Sequence, residues 1–117
     1  MPIDPHTQGL LEAMQAQGLK SFEQMSVEEA RGSVETFAGL QAEPQEVKQV
    51  IEHSVEGEGG PLKVRVYVPD VAGPLPVLVY YHGGGWVGGS LAEADEPCRS
   101  LANRNGAIVV AATYRLS

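Results

Sequence analysis

Apolar positions in the N-terminal third of the chain repeat at helical spacing in two segments. The first segment follows Asp4-Pro5, an N-cap residue with a proline in the first turn, and continues until Gly18. The second follows a capping box of Ser26 and Glu29 and ends within residues 39–44. Its apolar face consists of Val27, Ala30, Val34 and Phe37. We therefore expect two amphipathic helices within residues 1–45.

The pattern changes to a period of two in the next part of the chain. Residues 47–55 alternate imperfectly between apolar and polar, residues 57–60 supply a glycine-rich turn, and residues 62–68 alternate strictly. These segments predict an antiparallel hairpin. By contrast, residues 77–81 and 107–112 are continuous apolar runs, which are typical of strands covered on both faces in a mostly parallel sheet.

A third helix is expected between the two apolar runs. Ser90 and Glu93 form another capping box, and Asn105-Gly106 ends the helix. Its apolar face consists of Leu91, Ala94, Cys98, Leu101 and Ala102. The order helix, helix, hairpin and strand, helix, strand predicts an α/β protein in which residues 46–117 form the first strands and helix of the core. Because a parallel sheet needs helices on both faces, we expect this core to be incomplete within the chain.

Composition and charge exclude several classes of protein. The 117 residues suit a single domain, and a hydrophobic fraction of 43% predicts a folded core. A net charge of −7 disfavours nucleic acid and anionic lipid as partners. The longest apolar run is too short for a membrane span of about 20 residues, and the N-terminus lacks a signal-peptide pattern. The single cysteine forms no internal disulfide, so we expect a cytoplasmic protein. His6 and His53 are isolated from other ligands, so we expect no metal site.

The densest chemical signal is the segment 80–90, which contains five of the fourteen glycines. Glycines allow backbone amides to turn outward, so this segment is suited to binding negative charge. Gly83, Gly85 and Gly88 match a dinucleotide fingerprint, but the acidic residue required about 20 positions later is missing, and Trp86 fills the turn that pyrophosphate would approach. A phosphate loop is excluded because no lysine follows the glycines. An oxyanion hole formed by two backbone amides explains both the glycines and His82.

The string Tyr80-Tyr81-His82-Gly83-Gly84-Gly85-Trp86 resembles the motif of the hormone-sensitive-lipase-like esterases, which have the α/β-hydrolase fold. Three other parts of the chain are similar to that family as well: the two N-terminal helical segments, the strand at 62–67 and the triplet Tyr114-Arg115-Leu116. The resemblance implies that residues 1–45 form an N-terminal helical cap, or lid. One position departs from the pattern: Thr113 stands where the family often has aspartate, which weakens a local contact.

The resemblance implies roles for residues in and around this motif. It assigns the oxyanion-hole hydrogen bonds to the backbone amides of Gly84 and Gly85. The supporting roles fall to Gly83, which shapes the turn, and to His82, which braces the loop by hydrogen bonds. The substrate-binding residues that it implies are Trp86 and Val87, beside the acyl pocket, and Phe37, which lines that pocket from the lid.

The family also implies a catalytic serine on a Gly-x-Ser-x-Gly elbow, followed by an acid and then a histidine. None of the seven serines fits this pattern. The nearest, Ser90, is explained by the capping box, and no histidine follows His82. We therefore expect the nucleophile, acid and base to lie outside this chain, on a companion chain or segment, and the isolated chain to be inactive. The implied reaction is serine acyl transfer on short to medium acyl esters without a cofactor. The alternative is a non-catalytic binding module.

Overall fold

The computed structural model describes residues 2–117 and shows an α/β arrangement in that part of the chain. The α-helices are α1 (Pro5–Ala16), α2 (Val27–Glu35) and α3 (Asp95–Asn105), and two 3-10 turns span Phe22–Gln24 and Thr36–Leu40. The strands are β1 (Gln49–Gly57), β2 (Gly60–Val68), β3 (Val77–Tyr81) and β4 (Ile108–Ala112). The predicted order of the elements is confirmed.

The four strands form one sheet in the order β1-β2-β4-β3. β1 and β2 form the predicted antiparallel hairpin, and β2 runs antiparallel to β4. β3 and β4 are parallel, with Val77 beside Ile108 and Tyr81 beside Ala112, and α3 connects them. The predicted fold class, a first antiparallel hairpin followed by parallel strands, is therefore confirmed. The glycine loop leaves the C-terminal end of β3, which is the edge where open α/β sheets bind their ligands.

Local caps position the first two helices as predicted. Asp4 Oδ1 accepts hydrogen bonds from the amides of His6 and Thr7 at 2.9 and 3.3 Å. The Glu29 amide donates to Ser26 Oγ at 3.2 Å, and the Ser26 amide donates to Glu29 Oε2 at 2.8 Å. Lys20 also binds the Glu29 carboxylate at 2.6 Å. This bond, together with the bond from the Ser26 amide, lowers the pKa of Glu29 to about 2.

The predicted start of α3 is wrong. Residues 91–94 form turns, and the helix begins at Asp95, so Ser90 is not its N-cap. A helix that began at Leu91 would place Pro97 in its interior, where the proline ring clashes with the carbonyl four residues earlier. In the observed helix Pro97 lies in the first turn, where no intrahelical donor is needed. The predicted end is confirmed, since Gly106 is the C-cap with a φ of 56°.

The core lies between α3 and one face of the sheet. Its fully packed residues are Tyr67, Leu91, Ala94, Cys98, Ala102, Val109 and Ala111. The expectation that both apolar strands are covered on both faces is wrong for β3, because its residues Val77, Val79 and Tyr81 are exposed. On the same face of β4, residues 108, 110 and 112 are half-buried. The physical reason is that α3 covers the face of β2 and β4 that carries Tyr67 and Val109, and no residue of α1 or α2 is buried.

A polar cluster ties the first turn of α3 to the hairpin. Asp95 accepts hydrogen bonds from the Tyr67 hydroxyl at 2.9 Å and from Arg99 Nε at 2.8 Å, and it pairs with Arg65 at 3.2 Å. Burial acts to raise the pKa of Asp95, but the hydrogen bonds from Arg99 and Tyr67 outweigh burial, and the pKa is lowered. Burial raises the pKa of the Tyr67 phenol. The cluster thereby fixes the segment that follows the glycine loop.

Within residues 2–117, no helix combines the length and the apolar character that crossing a membrane requires.

Candidate active site

The glycine loop turns back on itself directly after β3. The Gly84 carbonyl accepts hydrogen bonds from the amides of Val87 at 3.1 Å and Gly88 at 3.0 Å. The two residues inside this turn, Gly85 and Trp86, have φ values of 59° and 60°. Positive φ at both central positions is characteristic of a type I′ turn. For a tryptophan this conformation costs about 1–2 kcal/mol, so the contacts around the turn must hold it in place.

Two glycines of the loop are required by close backbone contacts. Gly84 has a φ of 128°, and a Cβ there would overlap the carbonyl oxygen of Gly88. Gly89 has a φ of 101°, and a Cβ there would overlap the Gly83 carbonyl oxygen and the His82 ring. Any side chain at either position would therefore open the turn.

His82 is buried beneath the loop and contacts it on two sides. Its Nδ1 lies 2.8 Å from the Gly83 carbonyl oxygen, so a proton on Nδ1 is donated to that oxygen. The ring stacks on Tyr114 with 4.4 Å between the centroids and an interplanar angle of 17°. The Tyr114 hydroxyl donates to the His82 carbonyl at 2.7 Å. These contacts place His82 as a brace between the loop and the segment after β4.

The backbone amides of Gly84 and Gly85 are available to a ligand. Neither donates a hydrogen bond to another residue of the described chain. Both glycines border two cavities, so their amides lie beside accessible space. Two adjacent unpaired backbone donors are the elements that an oxyanion hole requires.

The larger cavity, about 650 Å³, lies between the glycine loop and the N-terminal helical segment. That segment contributes Val27, Ala30 and Val34 from α2 together with Phe22 and Phe37 from the two 3-10 turns. The apolar face predicted for the second helix therefore lines this cavity. Phe37 itself lies in the 3-10 turn that follows α2, which corrects its predicted place on the helix. Val87 borders the cavity from the loop.

Trp86 does not border the larger cavity. Its side chain is 74% exposed and lines a second cavity of about 420 Å³, together with Tyr81, His82 and Tyr114. Its predicted place as a wall of the same pocket as Val87 therefore does not match the geometry: the two neighbours face different cavities on the same glycines.

Ser90 is bound to Glu93 and not to a histidine. Its hydroxyl donates to Glu93 Oε2 at 2.5 Å and accepts from the Ala92 amide at 3.1 Å, and these are its side-chain partners within residues 2–117. Glu93 Oε1 is buried and has no hydrogen-bond partner in the same range. This geometry gives Ser90 no histidine partner within residues 2–117, so it lacks the serine–histidine pair that the predicted mechanism needs.

The structure also shows site residues that the sequence did not indicate. Arg31 bonds the loop from α2, and Ser117 bonds it from the segment after β4. Glu93 lines the larger cavity. Tyr114 belonged to a recognised triplet, but its stacking on His82 had no separate signal in the sequence.

The dinucleotide alternative is not supported by the local geometry. In that fingerprint the third glycine opens the helix whose N-terminus holds the pyrophosphate. Here α3 begins at Asp95, well after Gly88. Gly88 instead packs on α2, since a Cβ at Gly88 would lie 3.1 Å from Val34 Cβ. The glycines therefore do not lead directly into a helix.

Comparison with known proteins agrees with this geometry. Residues 78–117 match a family model described as the alpha/beta hydrolase fold. A solved ester hydrolase from the metagenome of Lake Arreo, EH1AB1, complexed with a derivative of bipyridine phosphonate, is similar to this chain with a TM-score of 0.88 and 34% identity. The match covers 98% of this chain and 38% of that one. Over these residues the chain is therefore similar to ester hydrolases of the α/β-hydrolase fold.

Two curated proteins to which this chain is similar come from Mycobacterium tuberculosis. Esterase LipI is 39% identical over 72 residues, covering 59% of this chain and 22% of LipI. Carboxylesterase NlhH is 51% identical over 57 residues, covering 48% of this chain and 18% of NlhH. The chain therefore matches about a fifth of the length of these two relatives.

Proposed function

We propose that this chain forms the oxyanion hole and part of the lid of a carboxylic ester hydrolase that works by serine acyl transfer. The observation that carries this proposal is the pair of unpaired amides at Gly84 and Gly85, which border a cavity of about 650 Å³ lined largely by apolar side chains. The esterase names of the relatives support the substrate class. A small-molecule ester is the substrate.

The proposed reaction begins when the triad histidine takes the proton of a serine hydroxyl as the serine Oγ attacks the ester carbonyl carbon. The new C–O bond forms as the carbonyl π electrons move to the oxygen, and the amides of Gly84 and Gly85 donate to that oxyanion. Collapse of the intermediate breaks the bond to the leaving alkoxide, which takes a proton from the triad histidine. Water then hydrolyses the acyl-serine by the same steps. The serine, acid and histidine lie outside residues 1–117, on a companion segment or chain.

The two cavities divide the surroundings of the oxyanion hole. The larger one receives the acyl chain, since Phe37 and Val87 present apolar walls beside the glycines. Trp86 walls the smaller one. His82 and Gly83 shape the loop, and His82 supports it through the Nδ1 contact with the Gly83 carbonyl oxygen and through stacking on the Tyr114 ring.

Fluorophosphonate labelling tests this function. The natural protein that contains this chain is treated with the probe. The Oγ of an activated serine forms a bond to the phosphorus of the probe, and fluoride leaves. Denaturing intact-mass spectrometry and peptide mapping then locate the adduct. We expect an adduct on a serine outside residues 1–117. Absence of any adduct would favour the non-catalytic binding module, and an adduct on Ser90 would contradict the placement of the triad.

A further inference from the structure

Arg31 of the lid helix α2 donates a hydrogen bond directly to the glycine loop. Its Nε donates to the Val87 carbonyl oxygen at 2.9 Å, and its Nη2 donates to the Ser117 carbonyl oxygen at 2.6 Å. Both acceptors lie far from Arg31 in the sequence, and the side chain is half-buried. Hydrogen bonds from a charged donor are shorter and stronger than neutral ones. Arg31 therefore joins α2, the glycine loop and the segment after β4 at one point.

These bonds close a ring around the strained turn. The Ser117 amide and hydroxyl donate to the Trp86 carbonyl oxygen at 2.9 and 3.1 Å. The carbonyls of Trp86 and Val87 are thus both bound, one by Ser117 and the other by Arg31, and Arg31 links the two anchors through the Ser117 carbonyl. A tryptophan at a φ of 60° persists only where its surroundings hold it.

A second contact seats the same helix on the loop. Val34, three positions after Arg31, packs on Gly88, where an added Cβ would lie 3.1 Å from Val34 Cβ. The Gly88 amide is one of the two donors to the Gly84 carbonyl that close the turn. Because Val34 also lines the larger cavity, the lid wall and the turn share a contact.

We propose that Arg31 is a positioning residue for the oxyanion hole. It holds the Trp86-Val87 half of the turn and so keeps the amides of Gly84 and Gly85 aimed at the oxyanion. The lid and the oxyanion hole are thereby coupled, since the amides of Gly84 and Gly85 are correctly oriented only while α2 packs on the glycine loop. This inference rests on the proposed function.

The test compares Arg31→Met and Arg31→Lys in the natural protein, with Lys20→Met as the matched control. Lys20 also bonds α2, through Glu29, and makes no hydrogen bond to the loop within the described residues. We expect Arg31→Met to lower kcat by roughly 10- to 100-fold with KM changed less than about twofold, because displacement of preorganised groups penalises the transition state. We expect Arg31→Lys to lower kcat by a smaller factor than Arg31→Met, since the lysine ammonium can donate to one of the two carbonyl oxygens. A trifluoromethyl ketone serves as an analogue of the tetrahedral intermediate. We expect the affinity of Arg31→Met for this analogue to fall in proportion to its kcat/KM.

A second readout does not depend on hydrolysis. The amides of Val87 and Gly88 donate to the Gly84 carbonyl, so their hydrogen exchange reports on the turn. We expect exchange to accelerate in Arg31→Met and to stay unchanged in Lys20→Met. If the protein hydrolyses no ester, the proposed function is wrong. Independently of that result, unchanged hydrogen exchange in Arg31→Met would show that Arg31 does not stabilise the turn. A wild-type kcat in Arg31→Met, or a change in KM alone, overturns the proposal. If that variant fails to fold, Arg31→Lys is judged by the same criteria.

Discussion

Replacing Gly84 with alanine perturbs the proposed oxyanion hole at its tightest point. The new Cβ would overlap the Gly88 carbonyl oxygen, and a φ of 128° is one that L side chains rarely adopt. The loop must therefore move, and the Gly84 amide moves with it. Loss of one oxyanion-hole donor typically costs about 10²–10³ in kcat, or about 2.7–4 kcal/mol. We expect Gly84→Ala to lower kcat by that factor.

Gly85 and Gly73 provide matched comparisons for the Gly84 substitution. A Cβ at Gly85 meets no atom within 4 Å, and its φ of 59° is the conformation that neighbouring Trp86 already adopts. We expect Gly85→Ala to cost about 1–2 kcal/mol of conformational energy and to lower kcat less than about tenfold. Gly73 has a φ of 100°, open space around it and a place outside both cavities. Gly73→Ala controls for strain alone.

The assay is the hydrolysis of p-nitrophenyl esters by the natural protein, with kcat and KM determined separately for each variant. Thermal unfolding of each variant separates loss of folding from loss of chemistry. The reasoning is refuted if Gly84→Ala keeps a kcat close to that of Gly73→Ala while both proteins are folded at the assay temperature. An equal loss in Gly84→Ala and Gly85→Ala would instead show that backbone overlap does not set the effect.

Two further predictions concern the core. Asp95→Asn should lower the free energy of unfolding at pH 7 by about 1–3 kcal/mol, because Arg99 and Arg65 lose their charged acceptor. The pKa of Asp95 is lowered on folding, so its contribution is complete above the unfolded value of about 3.9 and disappears as the pH falls through the folded value. Urea unfolding should therefore show the two proteins converging at acidic pH, and a constant difference would refute this. Burial raises the pKa of Cys98 to about 11. The thiol of the native protein should therefore react with iodoacetamide at pH 8 at least about tenfold more slowly than the thiol of the unfolded protein. Equal rates would show that the thiol is accessible.

Elements whose signals are local were predicted from the sequence. The caps at Asp4 and Ser26 act within a few residues, and both helices begin where those caps place them. The capping pattern at Ser90 failed because Pro97, seven residues later, excludes a helix that starts so early. A motif of four residues does not contain that constraint.

Contacts between distant segments were beyond the sequence. Arg31 bonds Val87 and Ser117, and no spacing in the chain relates these residues. The left-handed conformation of Trp86 could not be predicted from the sequence either, because tryptophan has no preference for a positive φ. The glycines could be assigned from a motif, whereas the division of Trp86 and Val87 between two cavities depends on how the turn is folded.

The most direct test of the central claim is a crystal structure of the natural protein after reaction with a phosphonate ester probe. The phosphoryl oxygen of the adduct stands in for the oxyanion of the tetrahedral intermediate. We expect that oxygen to lie about 2.7–3.1 Å from the amide nitrogens of both Gly84 and Gly85. An oxygen bound by other donors, with these two amides turned away from it, would contradict the assignment of the oxyanion hole to this loop.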